Sequence, residues 1–169
     1  MRSQNLVLAS QSERWHEYYS DRFPLVRIKL ASAAVNPDVF VIAPQADSQP
    51  RINCFLYVGW IIEEKGIFDL FDAMSLVIKE YPTVKLRLVG PLFDQDHFWS
   101  CLVTEMGLTE QVEFVGDISD HNRVISELKN ASVFVFPSHA EGFHVALLEA
   151  LTIGLPCIST KGLPGKRLD

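Results

Sequence analysis

The sequence predicts an α/β fold, a doubly wound parallel sheet with helices on both faces. Strand-like and helix-like runs alternate at intervals suited to βαβ units, and the strand-like runs are continuously apolar, as strands covered on both faces require. With 169 residues, 48% apolar and 21% charged, the chain can also bury one sizeable core. These observations exclude a disordered chain and a long fibre.

Each helix and strand is predicted from a pattern in its own stretch of sequence. Apolar residues at helical spacing predict a short amphipathic helix from Ser12 to Tyr19. β-branched and aromatic runs predict six strands, at Val26 to Ala31, Phe55 to Gly59, Lys85 to Gly90, Val112 to Val115, Ser132 to Phe136 and Pro156 to Ser159. Between them we expect helices with an apolar face over Ile67 to Ile78, ending before Tyr81-Pro82, and over Asp96 to Met106 and Asn122 to Asn130. The parallel crossovers should be right-handed.

Composition restricts the classes of binding partner and the cellular compartment that we expect for this protein. A net charge of -6 and a pI near 5.3 argue against nucleic acid and against broad attraction to an anionic membrane, so any phosphate binding has to be local. Cys54, Cys101 and Cys157 are odd in number, widely spaced and set among apolar residues, which predicts reduced core cysteines and a cytoplasmic protein. No His, Cys or Asp cluster has metal-ligand spacing, and no apolar run reaches the ~20 residues of a membrane span.

Two glutamates, Glu141 and Glu149, follow the apolar run from Ala131 to Pro137, and the first of them lies near the predicted start of a helix; we call this segment the acidic helix mouth. Phe143, Leu147, Ala150 and Leu151 recur at helical spacing, and free amides at a helix N-terminus favour phosphate. Along a straight helix, the eight residues from Glu141 to Glu149 would rise about 12 Å. Glu149 has apolar neighbours, so its carboxylate needs a partner.

The order of motifs resembles a known family. Tyr57-Val-Gly-Trp-Ile-Ile-Glu-Glu-Lys65-Gly66, Leu88-Val-Gly90, Val112-Glu-Phe-Val-Gly116, Phe136-Pro-Ser138, Glu141-Gly-Phe and Leu147-Leu-Glu149-Ala occur in sequence. Together they resemble the nucleotide-sugar-binding, Rossmann-like half of retaining GT-B glycosyltransferases with a Glu-x7-Glu signature, the glycosyl transferases group 1 that include glycogen-synthase-like and mannosyltransferase-like enzymes. The resemblance covers about residues 36 to 160, and the family continues where this chain stops, so we expect a C-terminally truncated half of the GT-B fold.

The resemblance also implies a division of the chain. Residues 1–50 would be a remnant of the preceding domain and a linker, because Asn36 to Arg51 is rich in Pro, Asn, Asp, Gln and Ser. Residues 51–169 would form the nucleotide-sugar-binding domain. The partner would be the missing N-terminal acceptor-binding domain, in cis or in trans, and peripheral membrane association through that domain stays open.

Residue roles come from the resemblance. Lys65 would meet the donor diphosphate and Glu141 the donor sugar, making these two the catalytic candidates, with neither glutamate acting as nucleophile. Glu149 would hold the ribose. The amides of Gly142, Phe143 and His144 would cradle phosphate, and the turn at Gly59 and the strand end at Gly116 would border the nucleotide. The alternative is that the lysine is solvated, Glu141 is simply a favourable anion near a helix N-terminus and Glu149 a solvated helix residue. The glycines would then serve turns, and Gly116 would end an ordinary strand.

The resemblance implies a donor sugar linked to UDP, GDP or ADP, with no cofactor or metal. Two residues depart from the pattern: Trp60 replaces an arginine that would be a second cation, and His144 replaces a glycine. His139 and His144 are candidates for proton transfer, whereas His16, His97 and His121 carry no signal. The alternatives are a non-catalytic Rossmann-like partner-binding module, a degenerate fragment, and a sugar-nucleotide epimerase of the same architecture.

Overall fold

The computed structural model describes residues 7–10, 13–31, 35, 53–93, 97–139 and 144–160. Seven strands lie in these ranges: β1 Val7–Ser10, β2 Arg27–Leu30, β3 Cys54–Val58, β4 Lys85–Val89, β5 Val112–Gly116, β6 Val133–Phe136 and β7 Cys157–Ser159. Five α-helices and one 3-10 turn accompany them: α1 Glu13–Arg22, the 3-10 turn Glu63–Lys65, α2 Ile67–Glu80, α3 Phe98–Glu105, α4 His121–Asn130 and α5 Val145–Thr152.

The main sheet has five parallel strands in the order β5-β4-β3-β6-β7. From the central strand β3, the chain first winds outward through β4 to β5, and then returns to the other side of β3 as β6. The register pairs Phe55 with Val133 and Leu56 with Phe134 across β3 and β6. The direction of winding therefore reverses between these two strands, which confirms the predicted doubly wound parallel sheet.

Side chains alternate between two apolar layers along each strand. Tyr57 of β3 and Val135 of β6 belong to the layer under α2 and α3, which also contains Phe71 and Trp99. Leu56 and its neighbours on the opposite face pack under α4 and α5, a layer built mainly from Leu56, Val89, Ile125, Leu128, Phe134, Phe136 and Ala150. Helices thus cover both faces of the central strands, which is why these strands read as continuous apolar runs.

The predicted elements agree with the structure to within a few residues, with one omission. The unpredicted strand β1 pairs in parallel with β2, and α1 connects them, so a separate two-stranded βαβ unit lies within residues 7–30. The four residues of β1 are too few for an alternation pattern to identify a strand. The loop predicted at Asn36 to Arg51 lies outside the described residues.

Specific side-chain contacts fix the start of α4 and connect β4 to the neighbouring helix and strand. Asp120 caps α4 by accepting a hydrogen bond from the Asn122 amide at 3.0 Å. Arg87 of β4 donates to Glu127 of α4 at 3.1 Å and to Glu113 of β5. Burial lowers the pKa of Arg87, but the hydrogen bonds to Glu127 and Glu113 outweigh it and raise that pKa above its ordinary value.

Two expectations about burial are wrong. All three cysteines are free, and Cys54 is buried, but Cys101 is exposed on α3. Leu151, expected on the apolar face of its helix, is 55% exposed. In each case apolar neighbours in sequence fall on different faces of a short helix, so sequence context alone misplaces the side chain. Within the described residues, no helix has the length and apolar character that a membrane crossing demands.

Candidate functional site

The reversal of winding places a crevice at the carboxyl ends of β3 and β6. Chains leaving neighbouring strands in opposite directions leave such a crevice open, and open α/β sheets bind ligands there. The turn that carries Lys65 follows β3, and the loop that leads toward Glu141 follows β6. Because both segments follow neighbouring parallel strands, they leave the sheet at the same edge.

The Lys65 turn is held against the end of β6. Its three residues, Glu63–Lys65, form the 3-10 turn, with the Lys65 amide donating to the Ile62 carbonyl at 3.2 Å. Lys65 is half-buried. Gly66 then takes a left-handed conformation with φ of 72°, and a Cβ at this position would lie 2.2 Å from the Pro137 carbonyl oxygen. Only glycine permits this approach, so Gly66 sets the position of the lysine turn relative to the β6 loop.

A second contact joins the same two loops. The His139 amide donates to the Glu64 carbonyl oxygen at 3.3 Å. The His139 imidazole Nε2 lies 2.5 Å from Asp69 Oδ2 at the start of α2, with both side chains more than half exposed. His139 is thus engaged by a carboxylate at the crevice rim, and the two loops predicted to converge do so through residues 64–66 and 137–139.

The centre of the predicted acidic mouth lies outside the described residues, because Glu141, Gly142 and Phe143 all fall there. His144 is described: its backbone is extended, and its ring centroid lies 3.7 Å from that of Phe136. Helix α5 begins only at Val145. Within the described residues the helix covers 145–149 of the interval from Glu141 to Glu149, and, apart from the extended His144, the rest of the predicted helical rise of about 12 Å lies outside the described residues.

Glu149 is the most unusual polar residue of the region. It is 2% exposed on α5, and its Oε1 accepts no hydrogen bond from the described residues. The imidazole Nε2 of His121 lies 3.2 Å from that oxygen, within ion-pair distance but without hydrogen-bond alignment. Burial raises the pKa of Glu149, and the opposing charge of His121 lowers it in part. The sequence expectation that this carboxylate needs a partner is met only in part, because His121 lies within ion-pair distance of Oε1 but donates no hydrogen bond to it.

Sequence reasoning missed His121. It is the first residue of α4, and Glu149 lies 28 positions further along the chain, so no local pattern links the two. The signal that could have identified His121 lies in the order of the strands and helices. Helices α4 and α5 lie on the same face and both begin at the carboxyl edge of the sheet, so a polar residue in the first turn of α4 can reach α5.

Three glycines mark the same edge of the sheet. The Gly59 amide donates to the Val89 carbonyl at 2.9 Å, and the Gly90 amide donates to the Gly116 carbonyl at 2.9 Å. A Cβ on Gly90 would lie 2.0 Å from the Gly59 carbonyl oxygen, so the chains after β3 and β4 approach as closely as backbones can. Gly59 and Gly116 thus lie at the carboxyl edge of the sheet, the edge at which the crevice opens.

The residue that replaces the expected arginine lies at the rim. Trp60 is 56% exposed and Phe93 is 57% exposed, and their rings meet edge to face with centroids 5.7 Å apart. The Tyr57 hydroxyl donates to the Trp60 carbonyl at 2.8 Å, which anchors the main chain there. Among the described residues, no three His, Cys, Asp or Glu side chains are grouped to hold a metal ion.

Fold and topology define a Rossmann-like α/β domain with a crevice at its switch point. A family model described as "Glycosyl transferases group 1" matches residues 42–167. The chain belongs to this family, as the order of its motifs predicts.

Individual relatives agree with this assignment. The chain is 32% identical over 132 residues to the lipopolysaccharide 1,6-galactosyltransferase of Salmonella typhimurium, a match that covers 75% of this chain and 34% of that protein. It is 27% identical to the solved C-terminal domain of LpcC, a glycosyl transferase group 1 protein from Francisella tularensis, with a TM-score of 0.63 over 75% of this chain and 71% of that one.

A more distant structure shares the fold. The pneumococcal O-GlcNAc transferase GtfA, solved in complex with UDP and GlcNAc, is 16% identical with a TM-score of 0.73, over 92% of this chain and 30% of that one. The chain spans about a third of the length of the Salmonella galactosyltransferase described above.

Proposed function

We propose that this chain is the donor-binding domain of a retaining glycosyltransferase and binds a sugar activated by a nucleoside diphosphate. In this proposal Lys65 neutralises the diphosphate, Glu141 contacts the sugar and Glu149 accepts hydrogen bonds from the ribose hydroxyls. The amides of residues 142–144 receive phosphate oxygens. Gly59 and Gly116 leave the main chain open to the nucleotide.

The observation that carries the proposal is the buried Glu149 carboxylate. A carboxylate oxygen that is removed from water and accepts no hydrogen bond costs free energy, so folds retain such groups chiefly where a ligand uses them. Glu149 lies on the helix that follows β6, one of the two strands at the switch point. A vicinal diol offers two O–H donors to one carboxylate, which fits this requirement.

The charge distribution supports a diphosphate. The protein is acidic overall, yet the turn after β3 carries Lys65, and this turn lies against the loop after β6. An ammonium is a compact point charge that suits phosphate oxygens. During transfer, negative charge grows on the departing diphosphate, so a cation held there stabilises the transition state more than the ground state.

The remaining parts of the proposal concern the whole protein. Residues 1–50 belong to a preceding domain and linker, residues 51–169 form the donor domain, and an acceptor-binding domain in cis or in trans completes the cleft. The three free cysteines support a cytoplasmic location. Without its acceptor domain, the donor half binds nucleotide weakly and turns over little.

Calorimetric titration of the chain with UDP, GDP, ADP and their hexose conjugates tests this function. We expect one nucleotide series to bind, and Lys65→Met to weaken that binding about tenfold, because a charge-assisted phosphate contact is worth roughly 1.5 kcal/mol. Glu149→Gln should weaken it by a similar factor through the ribose. The matched control is Lys79→Met at the far end of α2, which should bind as the wild type does.

If no donor binds the wild-type chain, or if the Lys65 and Lys79 variants lose equal affinity, the donor-site proposal is wrong. The second candidate function, a partner-binding module, rests on the exposed Trp60 and Phe93 pair. A chain that binds no donor but forms a complex with an acceptor-type domain, disrupted by Trp60→Ser, would favour that alternative.

A further inference from the structure

We propose that His121 is a positioning residue for Glu149, supplying the countercharge that keeps the buried carboxylate available to accept hydrogen bonds from a ribose. This rests on the proposed donor site and adds a residue that the family motifs do not include. His121 touches neither the diphosphate nor the sugar in this proposal. It acts through Glu149.

The geometry of the pair is asymmetric. The Glu149 side chain is 3% exposed, whereas the His121 side chain is 46% exposed at the first position of α4. Their 3.2 Å separation joins two neighbouring helices at the crevice edge of the sheet. The half-exposed imidazole keeps part of its hydration, whereas the buried carboxylate has lost its own and needs a nearby group to offset the cost of its charge.

In the part of the chain that the structure describes, few other charged side chains lie on the elements packed around Glu149. Of the strands packed against α5, β6 has no titratable side chain, and β7 contributes the Cys157 thiol, whose pKa is raised by burial and which stays neutral. On α5 itself, His144 precedes the helix and packs its ring on Phe136. The remaining charged side chains of α4 and its cap are Asp120, Arg123, Glu127 and Lys129. Glu127 is engaged by Arg87, and among the residues that the structure describes only His121 changes the pKa of Glu149 through its charge.

The consequence is a pH-dependent site. A protonated carboxyl is a poor acceptor for a diol, so ribose binding requires Glu149 to be ionised. Burial disfavours the ionised form, and the His121 charge opposes this effect. Removing His121 should therefore make Glu149 take up its proton at a higher pH, and nucleotide affinity should begin to fall at a higher pH as well.

The test compares the full chain with His121→Gln, His121→Lys and the control His16→Gln. Glutamine keeps a hydrogen-bond donor without charge, lysine restores charge, and His16 lies on α1, outside the main sheet. The Glu149 carboxyl is titrated directly by carbon NMR of side-chain-labelled glutamate, with Glu149→Gln identifying its signal. UDP, or the nucleotide that binds best, is titrated at pH 6 and pH 8.

We expect the Glu149 titration midpoint to move upward in His121→Gln, to return to or below the wild-type midpoint in His121→Lys, and to stay unchanged in His16→Gln. Nucleotide affinity of His121→Gln should fall about fivefold or more at pH 6 and change less than about twofold at pH 8. A purely structural role for His121 would lower affinity equally at both pH values.

An unchanged Glu149 midpoint in His121→Gln, or a midpoint that lysine does not restore, overturns the proposal even if nucleotide binds. Conversely, if the midpoint moves as expected but no nucleotide binds at either pH, the pairing stands and the proposed donor-binding function fails. The carboxyl titration needs no ligand, so the two results are independent.

Discussion

At the scale of single residues, Glu149 stands out because burial and charge conflict there. It is 2% exposed, and the imidazole Nε2 of the half-exposed His121 lies 3.2 Å from its Oε1. Proteins keep such conflicts at sites where binding a ligand relieves them, and the local cost lowers stability. The pH dependence of that cost follows from the pKa of Glu149. Burial raises this pKa above its ordinary value of 4.5, and the His121 charge lowers it part of the way back.

A raised carboxyl pKa means that the folded state binds the proton more tightly than the unfolded chain. The contribution of Glu149 to stability is thus most favourable at pH below 4.5 and declines as pH rises through its folded-state pKa. We expect Glu149→Gln to remove this decline and to raise the free energy of unfolding at pH 7.5 by about 1 kcal/mol, or roughly 2–4 °C in Tm.

Thermal unfolding of both proteins at several pH values from 4 to 7.5 measures this difference. The gain of the variant should be largest at pH 7.5 and should shrink toward pH 4. A variant that is equally stable or less stable at pH 7.5 would contradict the conclusion that the buried charge of Glu149 is only partly compensated by His121.

At the scale of elements, the site is assembled by turns and helix starts that meet at one edge of the sheet. The 3-10 turn after β3 and the loop after β6 touch through Gly66 and Pro137, and α4 and α5 touch through His121 and Glu149. The sequence predicted the first contact through its motif order, since both loops follow adjacent parallel strands. It did not predict the second, because side-chain contacts between helices depend on how each helix is rotated about its axis.

Gly66 offers a direct test of the turn. Gly66 and Gly107 have nearly the same left-handed φ, 72° and 68°, but a Cβ at Gly107 would meet nothing within 4 Å, whereas one at Gly66 would lie 2.2 Å from the Pro137 carbonyl. We expect Gly107→Ala to cost about 1 kcal/mol from backbone strain alone. Gly66→Ala should cost about 2 kcal/mol more and should weaken donor binding, because Lys65 would move.

Urea unfolding midpoints of the two alanine variants separate the strain from the steric clash. Equal destabilisation of both would mean that the Lys65 turn does not depend on the close approach to Pro137.

At the scale of the whole molecule, the core runs through the central strands, while β7 at one edge of the sheet is thinly covered. Cys54 lies at the start of the central strand β3 and is 2% exposed, Cys157 on β7 is half-buried, and Cys101 is exposed on α3. The three thiols therefore report on the surface, the sheet edge and the core of one molecule.

Thiol labelling of the native protein should modify Cys101 first, Cys157 next and Cys54 last. We expect Cys54 to react more than about a hundredfold more slowly than Cys101, because its labelling requires the main sheet to open. Mass spectrometry of timed samples measures the order, and Cys101→Ser should remove the fastest phase alone. Equal rates for Cys54 and Cys101 would mean that the predicted core is not closed.

The sequence by itself determined the parallel α/β sheet, its element boundaries to within a few residues, the family, and the meeting of the Lys65 turn with the β6 loop. These features follow from periodicity, strand composition and motif order, all of which are local or preserve chain order. Tertiary structure alone decided the pairing of His121 with Glu149, the exposure of Cys101 and Leu151, and the start of α5 at Val145. Such features depend on which helix faces which, and that is settled by packing between segments far apart in the chain.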